Sequence, residues 1–151
     1  MIKNVFNLED SKSFIDRINQ LTPETKPLWG KMSVGKMLAH CSVSYEYVYD
    51  NIYPKPKGFK KFILKLFVKN LVVGEKKYKP NNPTAPDFII KDDKDFQKEK
   101  ERLINYIIRT QELGEAHFDN KESHSFGVLN ATQWNNMFSK HLDHHLSQFG
   151  V

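Results

Sequence analysis

The stretch Trp134-Asn135-Asn136-Met137-Phe138-Ser139-Lys140-His141-Leu142-Asp143-His144-His145-Leu146-Ser147-Gln148-Phe149 decides how this chain folds. At about 100° per residue, Trp134, Phe138 and Phe149 gather on one side of a helix. His141 and His145 fall in the middle of that apolar stripe, Asp143 on the opposite, solvent side, and His144 on the flank. Asn130, followed three residues later by Gln133, has the form of a capping box, so the spacing predicts a helix from Ala131 to Phe149. A helix with such a face needs other helices to cover it.

Those helices are legible upstream. Asn7 is a fair N-cap, and Glu9 and Asp10 suit the positive end of a helix dipole, so a helix is expected over 8–20. Its buried stripe is Phe14, Ile15, Ile18 and Leu21. Pro23 and Pro27 punctuate the following loop, and Trp29 is expected to plug the end of the core. Ser33 caps a second helix to about Asp50, with Val34, Met37, Leu38, Cys41, Tyr45 and Val48 on one face. A further long helix is expected over 94–113, capped by Asp93 and stopped by Gly114. Its stripe is Phe96, Leu103, Ile104, Ile107 and Ile108. Apolar residues alternate nowhere with a period of two, so few strands or none are expected. The fold class is all-α, a four-helix bundle.

Two segments lie outside that bundle. Phe59 to Leu71 reads as a short amphipathic helix with Phe59, Phe62, Ile63, Leu66 and Phe67 on one side and lysines on the other. Its apolar side is expected in the core rather than as a membrane anchor, since such a face is what a bundle buries. Glu75 to Asp92, with Pro80, Pro83 and Pro86, reads as a long proline-rich crossover; neither flank is large enough to fold alone, so residues 1–151 are expected to form a single domain.

Composition narrows the function. The chain has 151 residues, 39% hydrophobic and 27% charged, with a formal net charge of +5. The lysines are spread along the sequence, with no arginine-rich arm and no nucleic-acid motif, so nucleic acid is not the expected partner. Lysines interrupt the densest apolar run, which therefore cannot be a membrane span of about 20 apolar residues, and no membrane role is expected. A lone cysteine, Cys41, and no signal-peptide pattern fit a cytoplasmic location.

The paired histidines carry the chemistry. Residues four apart on a helix stack, with about 5–6 Å between their Cβ atoms, so two imidazoles can share one ion. Burying both is costly unless each nitrogen finds a partner, and this helix offers no inward carboxylate. The third ligand is expected from His40, at the edge of the second helix's apolar stripe. Ser33, Ser44 and Tyr47 share that flank. His40 lies about 10 Å past the start of its helix, and the C-terminal pair about 16–22 Å past the start of theirs, so a modest stagger joins them. His117 and His124 read as polar loop residues, with His124 placed to fold over the site. Cys41 points away and reads as a buried thiol. Glu46 and Asp50 lie towards solvent, so no general base is identified. Tyr47 and Gln148 are the expected polar neighbours of the ion.

At these residues the chain resembles the DinB/YfiT-like metalloenzyme superfamily, and most closely a small bacterial subgroup of it. The carrying segments are Trp29-Gly30-Lys31-Met32-Ser33, Met37-Leu38-Ala39-His40-Cys41, Thr84-Ala85-Pro86, His124-Ser125-Phe126-Gly127, His141-Leu142-Asp143-His144-His145 and Gln148-Phe149-Gly150. Ser125 departs from the pattern, which carries proline there. The resemblance implies an all-helical bundle with one divalent metal held by His40, His141 and His145. It also implies a small-molecule substrate and, in some members, a low-molecular-weight thiol in a transferase or isomerase reaction. Imidazole nitrogens suit zinc, nickel, iron or copper. The competing class is a non-catalytic, metal-binding or structural bundle acting through protein partners. A homodimer through a helical face is open to either.

Overall fold

The structure is a computed structural model and describes residues 2–151. Its first helix, α1 (Leu8–Asn19), starts where the Asn7 side chain accepts from the backbone N–H groups of Glu9 and Asp10. Helix α2 (Val34–Tyr49) starts at Ser33, whose hydroxyl accepts from the Lys36 N–H. A broken arm follows: α3 (Gly58–Ile63), a π-helical turn at Leu64–Val68 and α4 (Lys69–Val73). The crossover carries one 3-10 turn, Pro86–Phe88, and leads into α5 (Phe96–Phe118). Antiparallel strands β1 (Lys121–Ser123) and β2 (Gly127–Leu129) pair Glu122 with Val128. The chain closes with α6 (Ala131–Gln148), where both bonds of the Asn130–Gln133 capping box form.

Helices α1, α2, α5 and α6 share one core. Phe14, Ile18, Met37, Leu38, Leu103, Ile107, Trp134 and Phe138 are each at most 1% exposed. Phe138 stacks on Tyr45 at 4.7 Å, and Phe118 meets Trp134 edge-on at 5.5 Å. Aromatic contacts of these kinds add modestly to the burial of area that drives the packing. Outside the core, Arg17 ties α1 to α6 through Asp143 at 2.9 Å, so Asp143 anchors a helix pair rather than facing open solvent.

Several local expectations are corrected. The N-cap of α5 is Asp95, which accepts from Lys98 N–H at 2.7 Å; Asp93 instead pairs with Lys36 at 3.0 Å. Gly114, at φ 72° and ψ 174°, does break α5 where a stop is expected, but one more turn follows and buries Phe118. The segment after it is not all loop, because it holds the β1–β2 hairpin. Ile108 is 39% exposed, and Trp29 sits half-buried against His144, outside the core.

The arm differs most from expectation. Phe59, Phe62, Leu66 and Phe67 are 78%, 58%, 54% and 67% exposed. The arm is apolar on two sides, and Ile63, Leu64, Val68 and Val72 form its half-buried inner side. Its C-terminal end is clamped by α6. The Lys140 ammonium donates to the carbonyls of Leu71 at 2.9 Å and Gly74 at 2.5 Å, and the Asn136 amide donates to Val73 O at 3.0 Å. That clamp fixes which side turns inward. Among the described residues no helix is long and apolar enough to cross a membrane.

Candidate metal centre

Helix α2 delivers His40, and α6 delivers His141 and His145 one turn apart. One ring nitrogen from each lies within 4.8 Å of the other two. His40 and His145 are 5% and 8% exposed, so the cluster is inside the protein. Its closest edge is His40 Nε2 to His141 Nε2, at 2.9 Å.

Each ring uses its other nitrogen elsewhere. His40 Nδ1 donates to the Phe88 carbonyl at 2.8 Å, His141 Nδ1 meets Ser44 Oγ at 3.0 Å, and His145 Nδ1 donates to Gln148 Oε1 at 2.8 Å. The amide orientation of Gln148 is set from its far end, where Nε2 donates to the Trp29 carbonyl at 2.8 Å. Gly30 makes room for that amide: its φ is 80°, and a Cβ there would stand 2.9 Å from Gln148 Nε2. These bonds fix tautomers. A carbonyl and an amide oxygen can only accept, so Nδ1 of His40 and of His145 carries the proton, and Nε2 of each is a bare lone pair.

The charge state agrees. Burial pushes the His141 imidazolium well below its ordinary range, with His145 and His40 adding to the effect. Burial, then His40, lowers His145 to about 3. Burial likewise lowers His40, partly offset by its bond to Phe88. The three rings are neutral at physiological pH, the state a metal requires. A tetrahedral ion with nitrogens at about 2.0–2.1 Å holds them about 3.3 Å apart; here the closest pair is at 2.9 Å and all three lie within 4.8 Å of one another. The donor set could therefore hold a metal ion, each ring held from behind by a polar partner.

Other expected residues fall into place or out of it. Gln148 stands behind His145. Tyr47 turns away: its hydroxyl donates to Asp87 at 2.7 Å, and its ring stacks on His124 at 4.0 Å. His124 is thus a buried aromatic partner rather than an ordinary loop residue, and not a member of the cluster. His117 accepts from Lys121 Nζ at 2.6 Å on the surface. His144 lies between Trp29 and Tyr78, with ring centroids 5.9 and 5.7 Å away. Cys41 is a buried thiol 3.7 Å from Met37 Sδ, its pKa raised by burial. Glu46 is not at the surface: it is 4% exposed, paired with Arg102 and bonded by Tyr53 Oη at 2.7 Å.

Phe88 is the residue that sequence reasoning missed. Its carbonyl holds His40, and its ring stands edge-on at 5.3 Å from His40 and 5.6 Å from His141. The only local signal is Pro86, which starts the 3-10 turn that aims it. Two clefts lie elsewhere on the protein, and none of the three cluster histidines lines either. One, of about 280 Å³, is lined by Tyr47, His124, Lys55 and Lys121. The other, of about 260 Å³, is lined by Trp29, Tyr78, Lys77 and His144.

Fold and site together define a mostly helical protein with a buried three-histidine cluster able to hold a metal ion. The chain belongs to the family described as protein of unknown function (DUF1569), which matches residues 2–150. Neither the curated proteins nor the solved structures compared with the chain gave a match.

Proposed function

We propose that this protein is a metal-dependent enzyme of the DinB/YfiT-like type, a four-helix bundle whose His40, His141 and His145 hold one divalent transition metal. One observation carries this reading: three neutral imidazoles, each secured through Nδ1, turn their remaining nitrogens to a common point. In the chain alone, His141 Nε2–H can donate to the His40 Nε2 lone pair while the Ser44 hydroxyl donates to His141 Nδ1; a cation would displace that one proton and gather all three nitrogens. A bound ion with open positions would acidify a water or thiol, supplying a nucleophile near neutral pH for addition or transfer to a small electrophile.

The chain's own residues set the conditions for that chemistry. Ser44, Gln148 and the Phe88 carbonyl orient the ligand rings. The Phe88 ring walls one side and limits water.

Metal analysis of untagged protein tests the centre. We expect one divalent ion per chain, lost in His40→Ala and in His141→Ala while the helical signal persists. A screen of small electrophiles with several cellular thiols tests the reaction, and turnover retained in His141→Ala would refute it. The second reading is a structural ion in a non-catalytic bundle. It is favoured by one fact: among the described residues no carboxylate hydrogen-bonds to any of the three rings. Collapse of the fold on chelation would select it.

A further inference from the structure

The arm from Gly58 to Val73 carries more exposed apolar surface than any other described element, and the metal centre makes no use of it. Phe59, Phe62, Leu66, Phe67 and Leu71 are 78%, 58%, 54%, 67% and 44% exposed. Isolated exposed apolar side chains are ordinary; five on one short segment, three of them phenylalanine, are not. The arm cannot relieve this by rolling over. Val73 is 3% exposed and buried against the body, Asn136 and Lys140 hold the carbonyls around it, and Lys61 pairs with Glu122 of the hairpin at 3.4 Å.

Charge says what the face meets. Between Ile52 and Gly74 the sequence has six lysines (Lys55, Lys57, Lys60, Lys61, Lys65 and Lys69) and no acidic residue. A symmetric pairing of two arms would place these cationic stretches against each other, which argues against a second copy as occupant. Phenylalanine and leucine on one face, with lysines interleaved and flanking, is the pattern of a helix lying in the plane of a lipid interface. Lysine stems can lie along the apolar face while their ammonium groups reach the headgroups. The arm is about 24 Å long, too short to span a bilayer and long enough to lie on one.

We propose that the outer face of the Gly58–Val73 arm docks on the surface of a bilayer rich in anionic lipid, burying Phe59, Phe62 and Phe67 at the headgroup level while the exposed Lys57 and Lys60 pair with the lipid charge. The expectation that this apolar side lies in the core is not met. Docking would hold the whole protein at the bilayer and leave the histidine cluster, on α2 and α6, in the body.

The test is co-sedimentation of the full-length protein with vesicles of phosphatidylcholine alone and of phosphatidylcholine mixed with phosphatidylglycerol. We expect partitioning onto the mixed vesicles, weakened by added salt, and roughly tenfold less onto the neutral ones. The triple variant F59S/F62S/F67S should bind the mixed vesicles at least about tenfold more weakly, with an unchanged melting transition because these side chains are exposed. No partitioning by the wild type would overturn the proposal, as would equal partitioning by the triple variant or indifference to lipid charge. A wild-type dimer that the triple variant makes monomeric, with no vesicle binding by either, would assign the face to a second copy instead.

Discussion

The histidine cluster and the arm depart from ordinary side-chain placement in opposite senses. On α2 and α6, polar imidazoles sit inside; on the arm, phenylalanines sit outside. The cost of the first is met locally, because each buried ring has a named partner for Nδ1 and the rings face one another. The cost of the second is met by nothing within the described residues. The difference teaches that a buried polar group and an exposed apolar group signal different things. We propose an ion as what the imidazoles receive and a lipid surface as what the phenylalanines meet.

The contrast can be broken most sharply with two phenylalanines. Phe138 is 0% exposed, stacked on Tyr45 and Trp134 in the same helix that carries the histidines. Phe138→Ala should cost about 3–5 kcal/mol, read from urea unfolding. A loss below 1 kcal/mol would mean the core beneath the cluster is not packed as described.

Acid sharpens the inside half of the comparison. In chelated protein, burial holds His145 at about 3, against an ordinary value of 6.5. The unfolded chain takes up this proton as pH falls below 6.5, and the folded chain does not until about pH 3. Stability is therefore complete above that window and lost downward through it, by about 1.4 kcal/mol per pH unit for this ring alone. A stability curve flat between pH 6.5 and 4.5 would show that the ring is not buried neutral. With metal bound, the same protons compete for the ligands, so the ion should be released on acidification.

Next in size is the support behind the rings. Gln148→Ala should lower metal affinity roughly 10–100-fold with little change in fold, measured by competition with a chelator. Unchanged affinity would mean the His145 ring holds its orientation without the amide. The smallest effect belongs to the outside half: Phe67→Ala should change stability by no more than about 0.5 kcal/mol. A loss comparable to that at Phe138 would show the arm's outer face to be packed.

What could be read ahead of the structure follows from the range of each interaction. Caps act over three or four residues, so Asn7, Ser33 and the Asn130–Gln133 pair announce helix starts wherever the helices then go. The same short range explains the miss at Asp93: two aspartates stand two residues apart, and the choice of Asp95 is made partly by Lys36, far away in sequence. The inward direction of His141 and His145 is also local, because both ride on the stripe set by Trp134 and Phe138. Glu46 shows the limit. Its place on the α2 wheel indicates an outer side, but α5 lies on that side and brings Arg102.

By itself, then, the sequence determined the long helices, their apolar stripes and the one-turn spacing of two imidazoles. Each depends on residues within a turn or two of one another. The edge position of His40 on its helix also pointed to it as the third member, and the structure brings it to the pair. Tertiary structure alone decided that Phe88 and Ser44 stand behind the rings and that Glu46 is buried. It also decided which of the arm's two apolar sides turns inward. A helical wheel reports that a face is apolar or polar, but what covers the face is set by distant segments, here the Lys140 clamp on α4 and the 3-10 turn that swings Phe88 over the histidines.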